Sequence, residues 1–300
     1  MRTLVSVIIP TYNRAYSLPL SLASVLAQSY NNIEIIVVDD NSSDNTAAVC
    51  QRFISEFGNN IQYVRNDTNL GPAASRNKGI ELAQGDLVTF LDSDDLYYLD
   101  KIELQVELLE KNPSAGFCYG HFTCTTDLHE FNNYHYSKWL PPFNLYPTFL
   151  LPNNFYIVTP AVMVRTKLFD VVGKFNESLH ICEDLELWSR ILFRTEALCV
   201  TKPIVAIHIR HEEQIKFFHN ILARDQLYQS VIKQDPALSN EFKICLYQNL
   251  IDLYLAIARN QEGRHSNTVN ILNKMRAARN KPFDVMQSDI VQLATIGIRD

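Results

Sequence analysis

Short apolar runs, rich in valine and isoleucine, alternate with stretches of helical spacing through the first 120 residues of the chain. The runs occupy residues 4–10, 34–38, 61–64 and 87–91. Continuous runs of this length are typical of parallel strands that are buried on both faces. The pattern therefore predicts a parallel sheet whose strands are joined by right-handed helical crossovers.

The segments between these runs have the spacing and the end signals of helices. Apolar residues recur at helical spacing from Leu18 to Leu26. A second helix is predicted to end at Gly58, because glycine favours the position after a helix C-terminus. A third helix is predicted over residues 72–83. Asp100 and Glu103 form a plausible capping box for a fourth.

The second half of the chain begins with an irregular segment. Residues 121–156 are crowded with aromatic residues, Asn and Pro, and a long irregular segment in a compact domain is often a lid or a binding loop. Residues 160–165 are predicted as a strand and residues 183–195 as an amphipathic helix. Two more strand-like runs follow, at residues 197–201 and 203–209.

From about residue 212 onward the pattern is helical only. We therefore predict an α/β fold, with a mostly parallel, Rossmann-like central sheet flanked by helices and a C-terminal helical appendage. The predicted domains are residues 1–211, divided into halves 1–120 and 121–211, and a helical extension over residues 212–300. The sequence does not say what this extension contacts.

Composition narrows the classes of partner. A net charge of -6 and a pI near 5.8 argue against nucleic acid, whose phosphate backbone usually binds to a basic surface. A hydrophobic fraction of 47% and a mean hydropathy of -0.10 are those of a soluble globular protein, and no stretch approaches the roughly 20 apolar residues of a membrane span. Six scattered cysteines without a C-x-x-C pair predict reduced thiols in a cytosolic compartment.

Polar residues of suggestive chemistry follow three of the predicted strands. The first strand leads into PTYNR at residues 10–14, the second into DDNSSD at residues 39–44, and the fourth into DSDD at residues 92–95. Ligands of an open parallel sheet bind outside the carboxyl ends of its strands. Asp92 and Asp94 are two residues apart at such an end, which suits a hard divalent ion that is otherwise held by substrate phosphates.

Other interpretations of these blocks exist. Asp and Ser after a strand are also ordinary turn and helix-cap residues, and Asp44 fits that description best. A receiver-type signalling domain also has paired aspartates after a parallel strand, but it does not account for the block at residues 92–95. A nucleotidyltransferase normally has a glycine-rich loop after its first strand. In this chain the corresponding residues 11–14 contain no glycine, which argues against that class.

Four blocks together resemble the family 2 inverting glycosyltransferases. They are VSVIIPTYNR at residues 5–14, IIVVDDNSSD at 35–44, NLGPAASRNKG at 69–79 and GDLVTFLDSDD at 85–95. The resemblance covers about residues 4–211, is weakest over 121–156 and does not reach the helical tail. It implies the A-type glycosyltransferase fold, with a donor nucleotide over the first strands.

The resemblance also assigns roles in donor binding. Tyr12 would stack on the base beside the backbone of Pro10 and Thr11, Asp40 would accept from the uracil ring nitrogen, with Asp39 the weaker candidate, and Arg76 would face the diphosphate. The two aspartates of the fourth block complete the set. Asp92 would touch the ribose or the metal, and Asp94 would bind Mn²⁺ or Mg²⁺ directly.

Two further residues are assigned in the second half. Asp184, in the stretch ICEDLELWSR, matches the family's catalytic base, although an acidic residue in the first turn of a helix also stabilises the helix dipole. His211 falls where many members place a histidine near the diphosphate or metal. The usual basic residue two positions earlier is replaced by Ile209, with Arg210 next to the histidine, so a solvated histidine is the alternative.

The resemblance implies that the protein transfers a sugar from a nucleotide-diphosphate donor to a hydroxyl of a glycan or lipid-linked acceptor. A UDP-sugar is the favoured donor. Surface polysaccharide synthesis is the expected setting, which would place a cytoplasmic enzyme at the inner face of a membrane. The tail would serve membrane docking, dimerisation or both. A nucleotide-sugar-binding protein of the same fold without turnover is the alternative.

Overall fold

A computed structural model of the chain describes residues 2–58, 60–125, 135–136, 157–179, 181–208 and 217–238, together with Lys243 and Leu246. The chain divides into two compact units. The first comprises Met1–Leu145, Tyr156–Ser178 and Ile191–Glu212, and the second comprises Tyr146–Phe155, Leu179–Arg190 and Glu213–Asp300.

The strands of the described residues all lie in the first unit and form one sheet. They are β1 (Val5–Thr11), β2 (Ile33–Asp39), β3 (Ile61–Arg65), β4 (Leu87–Phe90), β5 (Leu96–Tyr97), β6 (Phe117–Thr125), β7 (His135–Tyr136), β8 (Met163–Arg165) and β9 (Ala197–His208). The order across the sheet is β3-β2-β1-β4-β8-β6-β9-β5, and β7 pairs with β6.

The sheet combines a parallel half with a mixed half. Strands β3, β2, β1 and β4 pair in parallel, as the first 120 residues predict. Beyond β4 the pairs β4–β8, β8–β6 and β9–β5 are antiparallel, whereas β6 and β9 run in parallel. The predicted α/β class with helices around a central sheet is therefore confirmed, and the sheet is mixed in its second half.

Seven α-helices alternate with or follow the strands along the described part of the chain. They are α1 (Leu18–Leu26), α2 (Thr46–Phe57), α3 (Pro72–Leu82), α4 (Lys101–Lys111), α5 (Leu168–Val172), α6 (Glu183–Leu192) and α7 (Phe217–Gln234), with a 3-10 turn at Thr159–Ala161. In the first unit α3 packs on β1 and β2, and α4 packs on β6 and β9. Every residue of β1 and β4 is buried, which accounts for their largely apolar sequence.

Several predicted boundaries need correction. The predicted capping box fails, because Asp100 makes no side-chain hydrogen bond to its helix and its carboxylate pairs with Lys202 instead, while Glu103 accepts from Ser29. The two strand-like runs after α6 are one strand, β9. Only the last three residues of the predicted strand 160–165 belong to a strand, because Thr159–Ala161 forms a 3-10 turn.

The start of the segment predicted as irregular is a strand. Residues 121–125 belong to β6, whose pairing with β9 shifts register around His121. A register shift of this kind interrupts the regular alternation of side chains, so periodicity alone did not reveal the strand. Residues 126–134 and 137–156 lie outside the described residues.

The described part of the predicted helical appendage contains α7. The rest of the appendage, apart from Lys243 and Leu246, lies outside the described residues, and the predicted domain boundaries stay predictions. None of the helices in the described ranges has both the length and the apolar character needed to cross a bilayer.

Candidate functional site

The carboxyl ends of β1, β2 and β4 form one edge of the parallel half of the sheet. Thr11 lies beside Asp39 in the β1–β2 register, and Ile8 lies beside Phe90 in the β1–β4 register. The residues that follow these strands therefore emerge at the same edge. This arrangement brings together the three polar blocks whose convergence the sequence predicts.

The loops after β1 and β2 are held together by a network of short polar bonds. The backbone N–H of Asn13 donates to Ser42 Oγ at 2.8 Å, and the N–H of Ser43 donates to Asn13 Oδ1 at 2.8 Å. Asn13 itself has φ 52, which its short polar side chain tolerates. Asp44 accepts from the N–H groups of Ala15 and Thr46, both at 3.0 Å, as expected of a turn and cap residue.

The end of β1 combines a buried threonine with an exposed tyrosine. Thr11 accepts from the N–H of Asp40 at 2.8 Å through its carbonyl, which ties the predicted nucleotide residues of β1 and β2 together. Its Oγ1 is buried and has no hydrogen-bond partner within the part of the chain that the structure describes. Tyr12 is 46% exposed and is available for stacking on a planar ring.

Asp40 has a tightly bonded carboxylate. Its oxygens accept from Asn66 Nδ2 at 2.8 Å, from the N–H of Leu70 at 2.9 Å and from the N–H of Gly71 at 2.7 Å. Gly71 has φ 89 and directly precedes α3, so the carboxylate fixes the turn that leads into this helix. A carboxylate offers about four lone pairs, so these bonds leave room for one more donor, and the predicted contact with uracil stays a prediction.

Asp39 is fully buried and serves the neighbouring strand. It accepts from Tyr63 Oη at 2.6 Å and from the N–H of Ser42 at 2.9 Å. Burial, followed by the bond to Asp39, raises the pKa of Tyr63 above its usual range. These contacts give Asp39 a place in the β2–β3 packing.

Arg76 and Asp92 form an ion pair at the end of β4. Arg76 lies on α3 and one of its Nη atoms approaches Asp92 Oδ1 to 2.8 Å. The arginine side chain is 6% exposed, whereas that of Asp92 is 32% exposed. The pair brings the residue predicted to face the diphosphate next to the residue predicted to touch the ribose or the metal.

Asp94 lies near a second arginine, which the sequence assignment omitted. Arg14 Nε is 3.7 Å from a carboxylate oxygen of Asp94, with side-chain exposures of 31% and 15%. The signal for this residue was present, because Arg14 closes the PTYNR block after β1. The edge of the sheet therefore presents two guanidinium groups, which suit phosphate oxygens, beside two aspartates.

Carboxylate oxygens of Asp92 and Asp94 are the hard donors that Mn²⁺ or Mg²⁺ prefers, and such ions are usually held by one or two carboxylates with phosphates and water. The donor set at the end of β4 therefore fits the ion. Within the described ranges, no group of three or more His, Cys, Asp or Glu side chains converges on a metal position.

Asp95, which the sequence assignment also missed, anchors the turn after β4. Its Oδ1 accepts from the N–H of His208 at 2.8 Å, and its carbonyl accepts from Ser21 Oγ at 2.8 Å. Burial, followed by the negative charge of Asp92, raises the pKa of Asp95 well above its ordinary value. The carboxyl end of β9 is thereby fastened to the turn that carries Asp92 and Asp94. Because His208 and Ser21 are distant from Asp95 in the chain, the sequence alone does not reveal this anchoring role of Asp95.

Asp184 lies in the first turn of α6, in the second unit. The helix begins after Cys182, which has φ 62 and whose carbonyl accepts from the N–H of Glu186 at 3.0 Å. Asp184 is half-buried and accepts from the N–H of Leu185 at 2.7 Å. Its role as the base stays a prediction, and His211 lies outside the described residues.

Comparison with known protein families and proteins gives a consistent result. The family model described as Glycosyl transferase family 2 matches residues 6–173. An Escherichia coli protein named UDP-Glc:alpha-D-GlcNAc-diphosphoundecaprenol beta-1,3-glucosyltransferase is 35% identical over 191 residues, which cover 63% of this chain and 70% of that protein. An uncharacterized glycosyltransferase of Rickettsia conorii is 35% identical over 214 residues, which cover 71% of this chain and 35% of that protein. The chain thus spans about a third of that relative's length.

Solved structures show the same fold at low sequence identity. The mannosyltransferase PcManGT of Pyrobaculum calidifontis, in complex with GDP-Man and Mn²⁺, aligns with a TM-score of 0.64 at 18% identity, over 99% of this chain and 88% of that one. Residues 1–349 of Staphylococcus aureus TarS, in complex with UDP, align with a TM-score of 0.59 at 20% identity, over 98% and 92%.

Proposed function

The chain belongs to glycosyltransferase family 2, and from this we propose that it transfers a sugar from a nucleotide-diphosphate donor to a hydroxyl of a lipid-linked or glycan acceptor. The observation that carries the proposal is the collection of charged groups at the carboxyl edge of the parallel strands. At this edge Arg76 pairs with Asp92, and Arg14 pairs with Asp94. The two arginines would face the diphosphate of the donor, and the two aspartates would hold its divalent metal ion.

The donor would lie over the ends of β1 and β2. Tyr12 would stack on the base, because it is an exposed aromatic side chain directly after β1. The backbone of Pro10 and Thr11 would lie beside it. Asp40 would use its remaining acceptor capacity for a ring N–H of the base, while its other bonds keep the turn before α3 in place.

The diphosphate would be held at the end of β4. Arg76 is nearly buried, so its interaction with a phosphate oxygen would be screened little by water. Asp94, with Asp92 as the second candidate, would hold Mn²⁺ or Mg²⁺. When bound, the ion neutralises the negative charge that gathers on the departing nucleoside diphosphate.

The chemistry proposed for the chain is a single displacement with inversion. Asp184 accepts the proton of the acceptor hydroxyl while that oxygen forms a bond to the anomeric carbon. The bond from this carbon to the diphosphate oxygen breaks on the opposite face, and the nucleoside diphosphate leaves with the bonding electrons. Arg76 stabilises the charge of the leaving group electrostatically.

The relatives support a choice of donor and acceptor for testing. The Escherichia coli relative is named for UDP-Glc and for a GlcNAc-diphosphoundecaprenol acceptor, and the TarS structures contain UDP or UDP-GlcNAc. We therefore propose a UDP-sugar as donor and a diphospholipid-linked sugar as acceptor. A soluble glycan is the second candidate acceptor.

A transfer assay tests the proposal directly. The full chain is incubated with Mn²⁺, GlcNAc-diphosphoundecaprenol and one radiolabelled donor at a time: UDP-glucose, UDP-GlcNAc or GDP-mannose. We expect label to enter the lipid fraction from a UDP-sugar, with release of UDP in equal amount. Nucleotide binding without label transfer to this lipid or to a soluble glycan panel would favour a sugar-binding protein without turnover. Release of pyrophosphate from a sugar phosphate and a nucleoside triphosphate would favour a nucleotidyltransferase.

A further inference from the structure

A short segment after α5 lies along α3, close to the ion pair between Arg76 and Asp92. We define it as the strap, residues 174–177. It leaves α5 at Gly173, whose φ of 79 favours glycine. Lys174 pairs with Glu81 of α3, and Phe175 and Glu177 both bond to Asn77 of the same helix. The family match ends at residue 173, directly before the strap.

The side chain of Asn77 bonds to both backbone polar groups of Phe175. Its Oδ1 accepts from the N–H of Phe175 at 2.8 Å, and its Nδ2 donates to the carbonyl of Phe175 at 2.9 Å. The same Nδ2 donates to Glu177 Oε1 at 2.8 Å. Asn77 is 6% exposed, and buried polar groups with matched partners specify one arrangement. Phe175 therefore has a defined place beside α3.

The ring of Phe175 lies between α3 and the end of β4. The guanidinium carbon of Arg76 is 5.5 Å from the ring centroid, within the range of a cation–π contact. The ring of Phe175 also packs edge to face against the ring of Phe90, with the two centroids 5.4 Å apart and the two planes at 85°. Phe90 is the last residue of β4, and Asp92 follows it by two positions.

We propose that Phe175, held by Asn77, is a positioning residue that fixes the Arg76 guanidinium for the donor diphosphate. The ring makes a cation–π contact with the guanidinium and Asp92 makes an ion pair with it. The position of the cation is therefore fixed before any ligand binds. A preorganised charge avoids the entropic cost of ordering a long side chain on binding. This proposal rests on the proposed donor site, because the ligand of Arg76 is the diphosphate of that site.

The first test needs no ligand. Urea unfolding is measured for the wild type, Phe175→Leu, Arg76→Met and the double variant. If the ring holds the guanidinium, we expect the shifts in midpoint to be non-additive, because the double variant loses the shared contact only once. Additive shifts would overturn the proposed contact between the two side chains.

The second test compares uridine with UDP by calorimetry in Mn²⁺. Phe175→Leu should raise the Kd for UDP about threefold to tenfold, the size expected when one long side chain has to be ordered on binding, and leave the Kd for uridine unchanged. Asn77→Ala should give the same pattern. The matched control is Phe169→Leu, a buried phenylalanine on α5, which should change neither constant.

If Phe175→Leu raised the Kd values of uridine and UDP equally, the ring would have only a structural role, and the proposal would be overturned. The proposal would also be overturned if Phe169→Leu raised the Kd for UDP alone. An unchanged Kd for UDP in Phe175→Leu would also overturn it, while the proposed function would stand. Failure of the wild type to bind UDP or any other nucleotide diphosphate would overturn the proposed function, and this proposal with it.

Discussion

At the scale of single residues, the charged groups at the carboxyl edge of the sheet differ in how far the protein itself satisfies them. Asp40 is buried and accepts from Asn66, Leu70 and Gly71, so most of its bonding capacity holds its own loop. Asp94 is 15% exposed and lies 3.7 Å from Arg14. The side chain of Asp94 is open enough to solvent to reach an incoming ion, whereas the carboxylate of Asp40 already fixes the turn before α3.

Asp94→Ala is therefore expected to abolish the Mn²⁺-dependent part of UDP binding, because it removes the proposed metal ligand without emptying the nucleotide site. Calorimetric titration of UDP with and without Mn²⁺ measures the effect. Asp67→Ala, at an exposed loop position, is the control and should behave as the wild type. An Asp94→Ala variant with unchanged affinity in Mn²⁺ would remove Asp94 from the metal site.

Asp184→Asn is expected to retain donor binding and to lose roughly 10²–10⁴-fold in turnover, the usual size of a general-base contribution. The amide keeps the shape of the side chain but cannot accept the proton of the acceptor hydroxyl. Single-turnover transfer, combined with a UDP titration, separates the two effects. Glu183→Gln is the neighbouring control in the same helical turn. Near-normal turnover in Asp184→Asn would show that another group is the base.

The identity of the edge residues was predictable from sequence, but their partners were not. The strand-end blocks identified the edge, because parallel strands end at one edge of a sheet, and the family resemblance then assigned roles to Tyr12, Asp40 and Asp94. The partners of Asp40 lie 26, 30 and 31 residues away in the chain. Likewise Asp95 meets His208 across 113 residues, and no local pattern predicts such a contact.

At the scale of elements, α3 carries Arg76 and packs closely on β1 through Gly79. Gly79 faces β1, and a Cβ placed on it would lie 2.3 Å from Ile8 Cγ2. Ile8 is fully buried and β-branched, so it has little freedom to move aside. The glycine therefore sets the distance between α3 and β1, and with it the position of Arg76 above the strand ends.

Gly79→Ala is expected to destabilise the first unit by about 1–3 kcal/mol, the cost of overpacking, in spite of the better helix propensity of alanine. Urea unfolding gives the change in the free energy of unfolding. Gln51→Ala, at an exposed position of α2, is the control and should stay within about 0.5 kcal/mol of the wild type. A Gly79→Ala variant more stable than the wild type would show that the helix is free to shift.

The strands in the second half of the sheet were harder to predict from sequence than the parallel strands. Strands β1 and β4 are buried throughout and β2 over most of its length, so they appear as largely apolar runs, whereas β3 is partly exposed. Strand β6 contains Gly120 and His121 at a register shift, and β8 is three residues long. The apolar run of β6 is therefore interrupted, and the predicted strand at residues 160–165 is longer than β8 because its first part forms a 3-10 turn.

At the scale of the whole molecule, a charged residue lies inside the core. Lys101 is fully buried, and its Nζ donates to Thr89 Oγ1 at 2.8 Å and to Gln105 Oε1 at 2.6 Å. Its Nζ also lies 4.2 Å from the centroid of the Tyr97 ring. Burial lowers the pKa of Lys101 from 10.5 to about 7. The ammonium form is thus disfavoured in the folded chain relative to the unfolded one.

This shift gives stability a defined dependence on pH. Between pH 7 and the ordinary pKa of 10.5, the unfolded chain binds a proton that the folded chain has released, so the free energy of unfolding rises with pH. The contribution is at most about 1.4 kcal/mol per pH unit. The penalty is fully present below the folded pKa and disappears as pH approaches the unfolded value.

Lys101→Met is expected to remove this slope. Urea unfolding of the variant and the wild type is compared at several values from about pH 7 to about pH 8.5, below the usual range of lysine titration. The difference between the two proteins should change steadily with pH. Lys111→Met, at an exposed position of α4, should keep the wild-type slope. Parallel curves for Lys101→Met and the wild type would show that Lys101 titrates normally.

The central claim is that the chain binds a nucleoside diphosphate together with a divalent metal at the carboxyl edge of the parallel strands. Thermal unfolding of the full chain with UDP, GDP and their sugar derivatives, each with and without Mn²⁺, tests it most directly. A ligand that binds only the folded state stabilises it by roughly 2.7 kcal/mol at a hundredfold excess over Kd. We expect a rise in Tm with UDP that requires Mn²⁺, and a selective rise with one UDP-sugar. No shift with any nucleotide in the presence of the metal would contradict the account.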